Sequence, residues 1–207
     1  MVYIFNEINK VTYDDYLKVK ELNNGLVINK DYIKYEDRLR HELCIYLLKI
    51  YLKSINKYDL INSFKYSDLG RPEINELKIS FSKSNNGIII GIDKEDIGVD
   101  IEDYSKEYII TKNLFLSTKE IELIKNSKDY IFFINSKESY LKSKGLGIID
   151  GIYKLDYSNY YMNNNFIKDN LIYQYYAKDK YSYMICSNNK QKVKEISYEE
   201  LRRSIYE

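Results

Sequence analysis

The sequence predicts an α+β protein, in which short strands are grouped beside one long helix in each half of the chain. Apolar residues recur at helical spacing over residues 36–54 and again over residues 129–144. The strands predicted from alternating or continuous apolar residues are 77–81, 88–92, 97–102, 171–177 and 181–186. The last two strands lie on either side of a short polar turn and predict a hairpin. Each half therefore contains strands and one long helix, which suggests two similar α+β units.

Composition and charge exclude several classes of protein. The 207 residues carry 32 Lys and Arg against 31 Asp and Glu, a formal net charge of +1, so no bulk positive field attracts nucleic acid or an anionic membrane. Cys44 and Cys186 are far apart and His41 is the only histidine, so zinc and thiol-redox chemistry lack their usual ligand spacing. No apolar run is long enough to span a bilayer and no leader pattern is present, so we expect a cytoplasmic protein without a membrane or nucleic-acid partner.

The first half begins with an apolar stretch at residues 1–5, which predicts an edge strand. A polar helical stretch follows at residues 13–21. In the helix at residues 36–54, the basic side chains Arg38, Arg40 and His41 lie off the apolar stripe. From the pattern alone we expect a solvated helix face at these three positions, with Asp37 as a local partner.

A proline and a polar loop follow the first long helix. Gly70-Arg71-Pro72 contains the only proline of the chain, and a proline restricts the preceding residue to an extended conformation, so Arg71 is held in place. The strand at 77–81 runs into Ser82-Lys83-Ser84-Asn85-Asn86-Gly87, a loop that is rich in hydroxyl and amide groups. We expect the strands at 88–92 and 97–102 to form an antiparallel hairpin.

Two carboxylates lie on the strand at 97–102. Successive strand side chains alternate between faces, so Asp100 and Glu102 point to one face while Val99 and Ile101 point to the other. Carboxylates are hard oxygen ligands, and Mg²⁺ binds a few of them together with water and phosphate oxygens. The pair indicates either a metal-assisted phosphate site or a solvated strand edge, and the pattern alone leaves both open.

The composition turns polar after residue 103, which predicts a boundary between an N-terminal half, 1–103, and a C-terminal half, 104–207. Ser117 and Glu120 then have the spacing of a capping box at the start of a helix, which gives Glu120 a structural explanation.

The second long helix carries a charged pair near its end. Glu138 and Lys142 are four residues apart, so they share one helix face, and from the pattern alone they are an exposed ion pair. Gly145 follows as the residue expected just after a helix C-terminus.

Several of these segments together resemble a known family. Gly98-Val99-Asp100-Ile101-Glu102 and Lys137-Glu138-Ser139-Tyr140-Leu141-Lys142 resemble the two signature motifs of the 4′-phosphopantetheinyl transferases. Gly70-Arg71-Pro72, the Ser82 loop and Tyr198-Glu199-Glu200-Leu201 stand in the order of the larger Sfp-type members. The resemblance therefore extends over nearly the whole chain.

The resemblance implies a fold and a reaction. Members have two similar α/β halves related by a pseudo-twofold, bind coenzyme A in the cleft between the halves and act as monomers. They transfer 4′-phosphopantetheine from coenzyme A to a serine of an apo carrier protein, with Mg²⁺, and release adenosine 3′,5′-bisphosphate. The carriers serve peptide synthetases, polyketide synthases or fatty acid synthesis, and the sequence does not select one of them.

The resemblance also assigns roles to residues. It implies that Asp100, Glu102 and Glu138 hold the metal, that Lys142 neutralises the pyrophosphate and that Glu138 accepts the serine proton, directly or through a water. It implies that Lys137 lies beside the pyrophosphate. The residues that it assigns to coenzyme A binding are Arg40, Arg71, Ser82, Lys83, Asp100, Glu120, Lys137 and Lys142. Arg40 and Arg71 are expected near the 3′-phosphate and the adenine, and Glu120 near the metal.

This chain departs from the family pattern at several positions. Lys83 replaces a histidine that contacts a phosphate of coenzyme A, and Ile134 replaces an aromatic residue. The basic residues of the family's early loop are matched only loosely by Lys30 and Lys34. Lys83 and Ile134 keep one alternative open, a non-catalytic protein of the same fold that binds coenzyme A or a carrier protein. If the resemblance misleads, the second alternative is a Mg²⁺-dependent hydrolase of a small phosphorylated ligand.

Overall fold

The computed structural model describes residues 1–23, 26, 34–68, 70–104, 112–147 and 151–207. The chain divides into two compact units, and the first of them is built from both ends of the sequence. Unit 1 contains Met1–Lys94 and Lys192–Glu207, and unit 2 contains Glu95–Gln191. Each unit combines a four-stranded sheet with helices, which confirms the α+β class. Within the described residues, no helix is long and apolar enough to cross a membrane.

Unit 1 packs α-helices with a mixed sheet, whose strands lie in the order 193–195, 2–5, 88–93 and 78–83. Its helices and strands are β1 (Val2–Phe5), α1 (Tyr13–Leu22), α2 (Tyr35–Ser54), β2 (Lys65–Tyr66), β3 (Pro72–Glu73), β4 (Lys78–Lys83), β5 (Ile88–Asp93), β10 (Val193–Glu195) and α6 (Tyr198–Tyr206). β2 and β3 form a small separate ribbon. The long helix α2 buries Leu39, Leu43 and Leu47 in the core of this unit, as its apolar spacing predicts.

β1 lies inside the sheet, so the prediction of an edge strand was wrong. It pairs with β5 in antiparallel orientation and with β10 in parallel orientation. All four residues of Val2–Phe5 are buried, which explains why this strand is apolar throughout. The second partner comes from the far end of the chain, and no local pattern around residues 1–5 indicates it.

Asp15 joins the N-terminal helix α1 to the C-terminal helix α6. Its carboxylate accepts hydrogen bonds from the Thr12 amide at 3.0 Å, the Tyr198 hydroxyl at 2.8 Å and the Tyr206 hydroxyl at 3.1 Å. Arg202 adds an ion pair at 3.6 Å. Burial alone would raise the pKa of Asp15, but these hydrogen bonds outweigh it and the pKa is lowered. The ionised carboxylate therefore stabilises the junction of the two helices.

Unit 2 packs α-helices with an antiparallel sheet, whose strands lie in the order 97–103, 181–187, 171–177 and 165–168. Its helices and strands are β6 (Ile97–Asp103), α3 (Lys112–Phe115), α4 (Thr118–Leu123), α5 (Ser127–Ser143), β7 (Asn165–Lys168), β8 (Leu171–Ala177) and β9 (Tyr181–Ser187). The predicted capping box of Ser117 and Glu120 is present at the start of α4. Gly145, with a φ of 69°, follows α5 in the left-handed region, as expected.

β6 does not form a hairpin with β5, so that prediction was wrong. β5 pairs with β1 on one edge and with β4 on the other, and both of its edges are therefore occupied. β6 pairs instead with β9, where Asp100 lies opposite Met184. The compact units consequently differ from the consecutive halves 1–103 and 104–207, because β6 belongs to unit 2 and the last sixteen residues, 192–207, belong to unit 1.

Gly98 lets β6 pack against the backbone of α5. A Cβ at this position would lie 1.9 Å from the Ser139 carbonyl oxygen and 2.4 Å from the Ser143 amide nitrogen. Both atoms belong to the backbone of α5, which cannot move aside as the end of a flexible side chain can. Ser139 and Ser143 are themselves fully buried, so small side chains of the helix face the glycine of the strand.

We predict that Asp15→Asn lowers the free energy of unfolding by ~2 kcal/mol at neutral pH, because charge-assisted hydrogen bonds to the carboxylate are weakened. The lowered pKa means that the wild-type advantage is present above the ordinary aspartate value of about 3.9 and is lost as the pH falls through the folded-state pKa. Urea unfolding at several pH values measures this difference. The exposed neighbour Asp14→Asn is the matched control, and an equal effect of both changes would contradict the role of Asp15.

We predict that Gly98→Ala destabilises the protein by roughly 3 kcal/mol, since the added methyl group forces the strand and the helix backbone apart. Gly147→Ala serves as the control, because a Cβ there meets nothing within 4 Å. Thermal and urea unfolding of both variants test the prediction. A Gly98→Ala variant as stable as Gly147→Ala would show that this close approach is not required.

Candidate functional site

The acidic residues of β6 face the helix α5. Gly98 contacts α5 directly, and strand side chains alternate between faces, so Asp100 and Glu102 lie on the same face as Gly98. Val99 and Ile101 point to the opposite face and are fully buried. Asp100 is fully buried as well, whereas Glu102 is half-buried. The predicted common face of the two carboxylates is therefore present, and α5 lies over it.

Lys142 of α5 lies between two carboxylates. Its ammonium donates to Asp100 Oδ1 at 2.5 Å and lies 3.4 Å from Glu138 Oε2. Glu138 and Lys142 are one helical turn apart, so the predicted pair is formed, but it is joined to the buried Asp100 and is only about one quarter exposed. The structure thus brings together Asp100, Glu138 and Lys142, residues of the two sequence motifs.

The charges of this cluster influence one another strongly. Burial would lower the pKa of Lys142, but Asp100, Glu138 and Glu102 together raise it above its ordinary value. The pKa of Glu138 is raised, first by the negative charge of Asp100 and then by burial, while Lys142 opposes both effects. The Lys142 ammonium therefore offsets the repulsion between the carboxylates of Asp100 and Glu138.

The ligand chemistry of this cluster suits a hard cation. Asp100, Glu102 and Glu138 offer only carboxylate oxygens, the ligand type that Mg²⁺ prefers. Among the residues that the structure describes, however, no group of three or more His, Cys, Asp or Glu side chains is arranged to hold a metal ion. Asp100 and Glu138 already share one cation, the Lys142 ammonium, so these two residues are the part of the predicted set that fits a metal best.

A cavity of about 160 Å³ adjoins the cluster within unit 2. Glu102 and Glu138 contribute to its lining, so two of the three predicted metal ligands border the same space. The other lining residues are Phe115, Tyr130, Ile134, Lys137 and Ile152. Its wall is thus mainly apolar, with Ile134 at the position where the family pattern has an aromatic residue. The cavity thus leaves space for a small group next to the carboxylates of Glu102 and Glu138.

Lys137 and Glu120 form a separate buried ion pair. Lys137 Nζ lies 2.7 Å from Glu120 Oε2, and both side chains are fully buried. Burial lowers the pKa of Lys137, and Glu120 opposes this effect. Neither residue has a contact with Asp100, Glu138 or Lys142 among those that the structure records for the described residues. Lys137 therefore lines the cavity while its ammonium is paired with Glu120, which is not part of the lining.

In unit 1, Arg40 connects the start of α2 with the Ser82 loop. Arg40 forms an ion pair with Asp37 at 2.7 Å and reaches Asn85 of the Ser82 loop at 3.5 Å. The pKa of Asp37 is lowered mainly by Arg40, with a smaller contribution from Lys83, so both basic side chains act on one carboxylate. Ser82 is buried at the end of β4. The structure thus brings together the start of α2 and the predicted Ser82 loop.

Arg71 borders a different cavity of unit 1. This cavity has a volume of about 210 Å³, and neither Arg40 nor Lys83 is part of its lining. The Arg71 backbone is held by Ser67, and Nη2 of its guanidinium is buried without a hydrogen-bond partner among the described residues. A buried guanidinium nitrogen without a partner is costly, and an anionic ligand is a suitable acceptor.

His41 is not part of a solvated face, so that prediction was wrong. It is buried, and its Nε2 is 3.0 Å from the Tyr66 hydroxyl. β2, which carries Tyr66, covers this part of α2 and gives the imidazole a polar partner. Lys34 precedes α2 and is exposed, while Lys30 lies outside the described residues.

Two features of the site were not found from the sequence. The first is the packing role of Gly98, although Ser136, Ser139 and Ser143 recur at helical spacing on the facing helix and were a signal for close approach. The second is the burial of Lys137, which has no local signal because it follows from what packs behind α5.

Comparisons with known proteins add no family to this description. No protein-family model matches the chain, and no curated protein matches it either. The residues of the two units are therefore the basis for any functional proposal.

Proposed function

We propose that this protein transfers 4′-phosphopantetheine from coenzyme A to a serine of an apo carrier protein, in the manner of the Sfp-type transferases that its motifs resemble. The observation that supports this most directly is the cluster in which the Lys142 ammonium lies between the buried Asp100 and Glu138. Carboxylates for a metal and a lysine for a phosphate then occur side by side. We place the reaction in the cytoplasm, with the protein acting as a monomer.

Each residue of the cluster has a role in the proposed reaction. Asp100 and Glu138 would hold Mg²⁺, with Glu102 on the same strand face, and the metal, when bound, would offset the negative charge of the pyrophosphate. Lys142 places a positive charge on the same face and stabilises the charge that develops as the phosphate bond breaks. Glu138 accepts the proton of the carrier serine, directly or through a water.

The bonds and charges of the proposed step balance. The serine oxygen forms a bond to the β-phosphorus of coenzyme A, and the bond from that phosphorus to the bridging oxygen breaks. Adenosine 3′,5′-bisphosphate leaves with the electron pair, and the serine proton passes to Glu138. Phosphoryl-type transfer depends mainly on positioning and charge stabilisation, which carboxylates and a lysine supply.

Unit 1 contributes the proposed contacts to the nucleotide part of coenzyme A. Arg71 has a buried guanidinium nitrogen without a hydrogen-bond partner among the described residues, and the 3′-phosphate is an anion of the right kind. Arg40 and Lys83 supply further positive charge near the Ser82 loop. In this proposal Lys83 replaces the histidine of the family as a point charge.

An intact-mass assay tests the proposal. The protein is incubated with Mg²⁺, coenzyme A and several apo carrier proteins, and each carrier is weighed for the addition of one phosphopantetheine. We expect addition on at least one carrier and none after a chelator removes the metal. Coenzyme A binding without addition on any carrier would favour a binding protein, and breakdown of coenzyme A without a carrier would favour a hydrolase.

We predict that Glu138→Gln reduces the transfer rate at least about 100-fold while the protein remains folded, because the amide can neither accept the serine proton nor ligate a metal well. The initial rate of carrier modification is measured by mass. Glu122→Gln, at an exposed position of the same unit, is the matched control. Near-full activity of Glu138→Gln would contradict the assigned role.

We predict that Arg71→Met raises the KM for coenzyme A about 10-fold or more, since a charge-assisted hydrogen bond to the 3′-phosphate is lost. Dephospho-coenzyme A lacks this phosphate, so its KM should be the same in the wild type and the variant. Arg203→Met, an exposed position on α6, controls for loss of charge. An equal rise of KM for both substrates would place Arg71 away from the 3′-phosphate.

A further inference from the structure

The Lys137 ammonium is fully occupied by protein groups. Besides the ion pair with Glu120, it donates to the Phe115 carbonyl at 2.9 Å and to the Ile152 carbonyl at 3.3 Å. A lysine ammonium has three N–H donors, and three acceptors surround this one. It therefore has no donor left for a pyrophosphate, although the motif resemblance places this lysine beside one.

Glu120 is occupied to the same degree. Its Oε1 accepts the Tyr157 amide at 2.9 Å, and its Oε2 accepts the Ser117 amide at 2.7 Å in addition to Lys137. The pair thus joins the start of α4, the middle of α5 and the chain after residue 151. Ions that are buried and paired in this way are stable together, and loss of one partner leaves the other charge uncompensated.

The groups held by Lys137 form one wall of the cavity beside the carboxylates. Phe115 and Ile152 both line the cavity of about 160 Å³, as Glu102 and Glu138 do. Lys137 precedes Glu138 on α5, so the anchor and the proposed base lie on consecutive residues of one helix. The position of the wall relative to Glu138 therefore depends on this ion pair.

We propose that Lys137 and Glu120 are a positioning pair, which fixes the cavity wall of Phe115 and Ile152 beside Glu102 and Glu138, and that neither side chain contacts coenzyme A. The inference rests on the proposed function for its kinetic consequences. Under this inference, Lys137 and Glu120 no longer bind coenzyme A. They affect the reaction indirectly, because they hold the cavity wall and Glu138 in position.

A double-mutant cycle tests the pair, with Lys137→Met, Glu120→Gln and the combined variant. In a positioning pair each single change lowers kcat about 100-fold through misplaced groups, and the Kd for coenzyme A, measured by calorimetry, changes less than about twofold. The combined variant leaves no unpaired charge, so its kcat falls by less than the product of the two factors by which the single changes lower kcat. Lys119→Met, at a lysine that is 75% exposed, is the charge-matched control.

Two results together would overturn the inference and make Lys137 a phosphate ligand. Lys137→Met would bind coenzyme A about 10-fold more weakly, and the effects of Lys137→Met and Glu120→Gln on kcat would be independent of each other. A single variant that fails to fold while the combined variant folds supports the pair. Wild-type protein that modifies no carrier contradicts the proposed function, which is a separate outcome.

Amide hydrogen exchange tests the inference without any substrate. In Ser117→Ala and Lys137→Met we expect faster exchange at residues 115–123 and 151–157, including the Tyr157 amide that Glu120 binds, and unchanged exchange in β8 and β9. The milder Ser117→Ala variant keeps the charges and removes the side-chain cap of α4 together with the hydrogen bond from Ser117 to Asp156. Exchange in these two segments equal to that of the wild type would overturn the role of the pair.

Discussion

The architecture of unit 2 depends on the contact between the backbone of β6 and the backbone of α5 at Gly98. A glycine on the strand and buried serines on the helix let the two backbones approach more closely than any Cβ permits. The site follows from this contact by simple periodicity. Asp100 and Glu102 come two and four residues after Gly98 on the same face of the strand, while Glu138 and Lys142 flank Ser139 on the helix. One close approach thus brings residues of two distant motifs within ion-pair distance.

Local signals in the sequence predicted most of the helices and strands and the hairpin of β8 and β9, which is confirmed, whereas pairing between strands that are distant in the sequence was not predictable from them. The capping box of Ser117 and Glu120 and the left-handed Gly145 need only a few neighbouring residues, and both predictions are confirmed. The hairpin of β5 and β6 was wrong because β5 uses both edges for β1 and β4. Which strands pair is decided by the competition among all strands of a sheet, and residues 193–195 take part in it from the end of the chain.

Two neighbouring charged residues of α5 show why the site was only partly predictable. Lys137 and Glu138 follow each other in sequence, yet Lys137 is fully buried against Glu120 and Glu138 faces the cluster with Asp100. A helix turns its successive residues by about 100°, so adjacent residues face different surroundings. The sequence indicates the spacing of charges along α5, but the elements packed behind it decide which charge is buried. The role of Lys137 is therefore a matter of tertiary packing.

The charge balance of the cluster explains how its carboxylates remain close together. Asp100 is fully buried, and its charge is the main cause that raises the pKa of Glu138, so the two carboxylates repel each other. Lys142 compensates both, since it lies one turn from Glu138 and donates to Asp100. A helix that supplied Glu138 without a basic residue one turn later would place two negative charges in a poorly hydrated site with no counter-charge. The spacing of four residues between Glu138 and Lys142 is thus a requirement of the folded protein, and the same spacing places a positive charge beside the acidic residues for phosphate chemistry.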